Sequence, residues 1–261
     1  ARVSRAIEQL RIMSDVVPTD LTLEAEFWRG EVLRRYGQHA LANAVFQRTE
    51  STLWNSVRHP YYRFGIATSI GLTAMVRGDS TQADRWLKLR LAERRSAGRA
   101  NHPYVANDYR FLAENLIMAG RFEEAERQLA AAPSIDSIHV SKFNPARYQN
   151  LIAESRARLH LERGDPQRAL DTLPSRAFEK QDGEANFGLF TAPALIRGEA
   201  LCHMGRHLAG LELIEFSLAQ LDGDHDEQHP AVARLKAALA SCAWRAGQTQ
   251  KAREMADQAE R

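Results

Sequence analysis

Glycine recurs along this chain at an interval that few folds can explain. Gly37, Gly78, Gly120, Gly164, Gly205 and Gly247 are separated by 41, 42, 44, 41 and 42 residues. A period of this size marks a repeat architecture, in which one supersecondary unit stacks on the next. Three further columns keep register with the glycines. Five residues after them stand Ala42, Ala83, Ala125, Ala169, Gly210 and Ala252. Nine residues after stand Phe46, Leu87, Leu129, Leu173, Ile214 and Ala256. Seven residues before stand Gly30, Gly71, Ala113, Ala157, Gly198 and Ala240.

Two antiparallel helices joined by a tight turn account for all four columns. The end of the first helix needs a residue that tolerates left-handed backbone angles. Small residues on either side of the turn let the two helices approach, and the bulky residue fills the space between them. The chain is therefore expected to be all-α, with repeats at about 20–58, 59–100, 101–143, 144–183, 184–228 and 229–261. Ala6, Leu10 and Met13 suit a second helix that lacks its first, an orphan ahead of the array. The last segment, from Thr249 to Arg261, is again a second helix with no polar cap after it. Solenoids need capped ends, so the chain is expected to be part of a longer protein.

The columns resemble the tetratricopeptide repeat. The best copy runs Tyr109-Arg110-Phe111-Leu112-Ala113-Glu114-Asn115-Leu116-Ile117-Met118-Ala119-Gly120-Arg121-Phe122-Glu123-Glu124-Ala125. The long period and the dipeptides His59-Pro60, His102-Pro103 and His229-Pro230 are similar to kinesin light chain repeats and to those of bacterial regulators. Proline in a first helical turn loses no hydrogen bond, so these dipeptides read as helix starts. The resemblance implies a right-handed superhelical solenoid spanning residues 1–261. It also has departures. Arg156 and His160 stand where large apolar residues are expected, and Gly210 replaces alanine. The polar stretch from Pro174 to Gly188 is a candidate mobile loop.

Composition excludes several function classes. The net charge of +2 gives no broad pull toward nucleic acid or membrane. No apolar run approaches the ~20 residues that span a bilayer. The N-terminus lacks the apolar core of a signal peptide, and two cysteines are too few for a disulfide framework. A cytoplasmic protein is expected. Cys202 and Cys242 lie nearly one repeat apart and are read as small buried apolar residues, with a redox pair as the alternative. Lysine appears only at Lys88, Lys142, Lys180, Lys236 and Lys251, so the basic residues are mostly arginine.

No motif for catalysis, cofactor or metal survives inspection. Phosphate-binding glycine loops, the zinc-protease helix and the serine elbow are all missing. The run Asp222-Gly223-Asp224-His225-Asp226-Glu227-Gln228-His229 fails as a calcium loop: Glu227 stands where glycine is required and Ala233 where the bidentate glutamate belongs. It reads as an acidic loop between repeats. Neither an enzyme nor a metal or cofactor protein is expected.

The resemblance further implies that first helices line a concave groove. The groove register holds Phe27, Glu31, Arg34 and Arg35 in repeat one, Leu72 and Met75 in repeat two, and Arg110, Glu114 and Met118 in repeat three. It continues with Arg158 in repeat four and with Trp244 and Arg245 in repeat six. Glu154, Leu161, Glu162, Glu199 and Arg234 share it. The family's carboxylate clamp, built on lysine and asparagine, is not reproduced: Phe27 and Glu31 hold those places. The expected function is a scaffold for a protein or peptide partner, as the docking or sensing region of a larger bacterial regulatory protein, with no direct contact to nucleic acid or membrane. The alternative is a sensor for a small anionic metabolite or sugar.

Overall fold

The structure is a computed structural model. The structure describes residues 19–56, 60–97, 102, 104–133, 145–174, 193–221 and 230–260. The chain divides into two compact units, residues 1–100 and 101–261. All regular structure among the described residues is helical.

Unit one holds α1 (Thr19–Arg35), α2 (His39–Ser56), α3 (Pro60–Val76) and α4 (Ser80–Ser96). Unit two holds α5 (Tyr104–Met118), α6 (Phe122–Ala131), α7 (Pro145–Glu162) and α8 (Pro166–Thr172). It continues with α9 (Pro193–His203), α10 (His207–Leu221), α11 (Pro230–Arg245) and α12 (Thr249–Glu260). Each repeat is one pair, and the first helices of successive repeats adjoin one another: α1 with α3, α5 with α7, α7 with α9, and α9 with α11.

The turn glycines do what their spacing implies. All six have φ between 70° and 81°. Each turn also closes with the same two hydrogen bonds. At the first, Gly37 N–H donates to the Arg34 carbonyl at 3.1 Å and Gln38 N–H to the Leu33 carbonyl at 2.9 Å. This is the Schellman arrangement, which satisfies helix-end carbonyls that would otherwise lack partners. The same pairs recur through Gly78, Gly120, Gly164, Gly205 and Gly247. Two turns add an N-cap: Asp79 accepts from Gln82 N–H at 2.9 Å, and Asp165 from Arg168 N–H at 3.0 Å.

The small column and the bulky column meet across the pair. A Cβ on Gly71 would lie 3.0 Å from Leu87, and one on Gly198 would lie 2.6 Å from Ile214. Gly30 stands against Phe46 in the same way. Phe46, Leu87, Leu129 and Ile214 are completely buried. The interhelical spacing is thus set by contact between these two columns.

Repeat four keeps its register in spite of its departures. Arg156 donates to the Leu129 carbonyl at 3.2 Å, in the last turn of α6. There a cation meets the negative end of a short helix. His160 is partly buried, and that burial, followed by the charge of Arg168, lowers its pKa below the ordinary histidine value. Pro60 and Pro230 do open helices, and Tyr104 N–H donates to His102 Nδ1 at 3.3 Å. His59, Pro103 and His229 lie outside the described residues, as do the orphan helix, the acidic run 222–229 and all but Pro174 of the stretch to Gly188.

The cysteines depart from the preferred reading. Cys202 of α9 and Cys242 of α11 form a disulfide between repeats five and six, with Cα atoms 5.5 Å apart. Both sit in the apolar core with Leu195, Leu211, Leu235 and Leu239. They lie at the same face of adjoining first helices, which is why a separation of 40 residues brings them together.

Candidate functional site

The first helices of unit two carry charge where a helix-packing surface would be apolar. Arg110, Glu114, Glu154 and Arg158 are all buried. Burying charge is costly unless it is paired. Arg110, Glu114 and Arg158 are paired in a chain that runs from repeat to repeat, and Glu154 is buried beside it, under the fields of Arg110 and Glu114. On α5, Arg110 Nη1 donates to Glu114 Oε1 at 2.6 Å, and Arg110 Nε to Asn107 Oδ1 at 2.8 Å. Ser155 of α7 donates to the same Glu114 oxygen at 2.8 Å, linking α7 to α5. Arg158 Nη1 of α7 sits 2.6 Å from Glu199 Oε2 of α9 and 3.2 Å from Glu162 Oε1. Arg234 Nη2 of α11 lies 3.7 Å from that Glu162 oxygen. Four first helices are joined in this way.

Two members titrate away from their ordinary values. Burial, followed by repulsion from Glu114, pushes the Glu154 carboxyl up to about 8 against the opposing pull of Arg110. Burial, then the nearby Arg158 cation, brings Arg234 down to about 10.

A pocket of about 260 Å³ opens over this chain. Its walls are Glu114, Ile117 and Met118 from α5, Arg158 and Glu162 from α7, and Arg234 from α11. The arrangement can hold one small charged group among two guanidinium and two carboxylate groups, beside an apolar wall. Among the described residues, no group of three or more His, Cys, Asp or Glu could hold a metal. No described helix is long and apolar enough to cross a membrane.

The groove residues read from the sequence divide into several sets. Glu114, Met118 and Arg158 come together at the pocket, with Arg110 beneath it through Glu114. Trp244 and Arg245 are exposed at the end of α11, Trp244 at 64%. In unit one, Arg34 holds Glu31 with a fork, Nε to Oε1 at 2.9 Å and Nη2 to Oε2 at 3.2 Å. The side chain of Arg35 lies outside what the structure describes. Phe27, Leu72 and Met75 need correction as partner-facing residues. All three are buried. Phe27 packs with Leu33, Val45, Ile66 and Trp86 in the unit-one core. Its ring also fills the space beside Gly65. Leu161 is likewise a core residue, packed with Ala157, Leu173 and Ile196.

Glu162 and Arg234 were in register but not singled out, because a charged residue on a helix normally faces water. Ser155 gave no signal, since a lone serine inside a helix has no pattern.

Residues 190–261 match the family model of the tetratricopeptide repeat. Among solved structures, the chain is similar to a Podosopora anserina protein described as a kinesin light chain with nearly identical TPR-like repeats. That likeness has 21% identity and a TM-score of 0.47, covering 78% of this chain and 96% of that one. It is also similar to BtubC (BKLC) from P. vanneervenii, at 16% identity and a TM-score of 0.40, covering 99% of this chain and 87% of that one. No curated protein matches the sequence. The chain is thus an all-α array of helix pairs similar to tetratricopeptide repeats, with the family match itself lying on its last two repeats.

Proposed function

We propose that this chain is a protein-interaction scaffold whose first helices in residues 101–261 receive a peptide or a partner's helix. One observation carries the reading: a chain of ion pairs and one serine hydrogen bond joins four first helices and borders a pocket beside the half-exposed Met118. A face built only for packing gains more from apolar residues than from buried charge, which is often neutral or worse for stability. Charge kept on an inner face therefore argues for recognition. The size of the pocket favours a side chain over a whole metabolite, since small-ligand pockets enclose ~300–1,000 Å³ and this one about 260 Å³. The place of the scaffold in a larger bacterial regulatory protein of the cytoplasm belongs to the same proposal, and the full gene product tests it. No catalytic step and no contact with nucleic acid form part of it.

The test is peptide display against the full chain, followed by photo-crosslinking. A photoreactive side chain at position 118 should capture the selected peptides. The same group at position 126, exposed on the second helix α6, should not. Capture at 126 alone, or selected peptides that bind Met118→Lys as well as the wild type, would place the interaction on another face. Saturable binding of a free metabolite with no peptide selected would favour the sensor reading.

A further inference from the structure

Three columns of the first helices in unit two face the repeat that follows. They lie ten, six and three residues before each turn glycine. In repeat three they are Arg110, Glu114 and Ile117, and in repeat four Glu154, Arg158 and Leu161. All of these are buried. The next first helix covers them. Glu114 takes the Ser155 hydroxyl of α7, and Ile117 shares a core cluster with Ile152. Arg158 meets Glu199 of α9, and Leu161 packs with Ile196. In repeat five Leu195 and Cys202 are buried and Glu199 partly so, with Cys202 tied to Cys242 of α11.

Repeat six carries the same columns uncovered. They hold Ala237, Ser241 and Trp244, all exposed, Trp244 at 64%. Their spacing puts them on one face of α11. A hollow adjoins that face. The bulky column that fills each helix pair ends in Ala256, which is exposed, and Ala240 opposite it is only partly buried. Phe46, Leu87, Leu129 and Ile214 close the same space in other repeats. Tryptophan is a frequent anchor of protein interfaces, and here it stands in water at a position that earlier repeats use for stacking.

Charge indicates what fits there. α11 contains Arg234, Lys236 and Arg245 and no acidic residue, whereas α5, α7 and α9 each contain acid. Arg245 is exposed beside Trp244, and neither it nor Lys236 holds a carboxylate among the described residues. α12 next to them carries both signs. A second copy docked by this face would set α11 against α11, basic against basic.

We propose that this end face is a second docking surface, which takes a partner's amphipathic helix alongside α11 as each first helix lies along the one before. The partner helix puts a bulky apolar side chain into the hollow between Ala240 and Ala256, covers Trp244, and sets an acidic flank at Arg245. The surface is separate from the pocket beside Met118 and does not depend on the scaffold reading of that pocket.

The test labels the full chain with fluorotryptophan and follows the Trp244 signal by fluorine NMR, assigned with Trp244→Phe. The probes are two synthetic helical peptides with the same leucine seam, one flanked by glutamate and the other by lysine. The glutamate peptide should move the Trp244 signal saturably, and the lysine peptide should leave it in place. Arg245→Glu should weaken the glutamate peptide about tenfold, because an attractive pair becomes a repulsive one. Ala237→Gln changes an exposed position, so it should keep the circular dichroism spectrum and lose the peptide. Met118→Lys should bind the peptide as the wild type does. Equal responses to both peptides, or none at Trp244, overturn the proposal. So does a peptide lost from Met118→Lys and kept by Ala237→Gln, which would place it in the groove. A Trp244 signal that moves with protein concentration alone, with a dimer in sedimentation, gives the face to a second copy. A Trp244 signal already shielded in the full gene product, and unmoved by peptide, gives it to another segment of the same polypeptide. Either result overturns the assignment to a partner.

Discussion

Gly210 and Cys202 share one place in the helix pair of repeat five: a Cβ on Gly210 would fall on the Cys202 sulfur. It would also lie 2.7 Å from the Gly198 carbonyl oxygen. Every other repeat has alanine at this column, so the glycine accommodates a sulfur already tied to the next repeat. Neither neighbour can yield, since one is backbone and the other is held by a disulfide. Gly210→Ala should therefore destabilise repeats five and six by about 1–3 kcal/mol, the ordinary cost of overpacking. Denaturant unfolding checks this. An unchanged midpoint would show that the helices separate freely.

The disulfide closes a loop of 40 residues. The chain-entropy argument gives a cross-link of that span about 4 kcal/mol. Reduction by a dithiol should lower the unfolding midpoint of unit two, and Cys202→Ala with Cys242→Ala should do the same in the absence of reductant. A reducing compartment keeps thiols open, so the state of the bond depends on where the protein works. Because both sulfurs are buried, alkylation during unfolding without reductant, followed by mass measurement, reports the state of the bond directly. Two modified cysteines in the unfolded, unreduced protein would mean that the bond does not form.

Glu154 should make stability depend on pH. Its folded value is raised from the ordinary 4.5 to about 8, chiefly by burial. The unfolded chain therefore gives up this proton at lower pH than the folded chain does. Its contribution to stability is present below about 4.5 and is lost as the pH rises to about 8. The total is on the order of a few kcal/mol. Glu154→Gln should remove this slope and leave the variant more stable than wild type at pH 8–9. Melting curves from pH 5 to pH 9 test it, and parallel profiles for the two proteins would refute it.

The fold was legible because its determinants are periodic. Gly71 and Leu87, or Gly198 and Ile214, meet across a turn of fixed length, so sequence spacing alone shows that they belong together. The site was legible only in part. The groove register holds Glu114, Met118 and Arg158, which line the pocket, and also Phe27, Leu72 and Met75, which are buried apolar residues away from it. Register indicates which way a side chain points but not how deep the neighbouring helix lies. The pairing of Arg158 with Glu199 and of Glu162 with Arg234 depends on how first helices stack. That stacking joins residues 41 and 72 positions apart, with no local pattern to announce them.

Arg158 offers the sharpest separation of stability from recognition. It is buried between two carboxylates. Arg158→Met would leave Glu199 without its 2.6 Å partner, and breaking a buried pair from one side costs about 3–5 kcal/mol. Replacing both members removes the stranded charge, so Arg158→Met with Glu199→Met should recover most of the loss. Glu162→Gln removes a half-exposed, loosely held group and should change stability by less than about 1 kcal/mol. The expected order in a urea titration is therefore wild type and Glu162→Gln together, the double variant close behind, and Arg158→Met well below. A double variant no better than Arg158→Met would mean that Arg158 stabilises the repeat through contacts other than Glu199. Recovery in the double variant would instead mean that a methionine pair serves the fold as well, and that stability alone does not account for the ion pair.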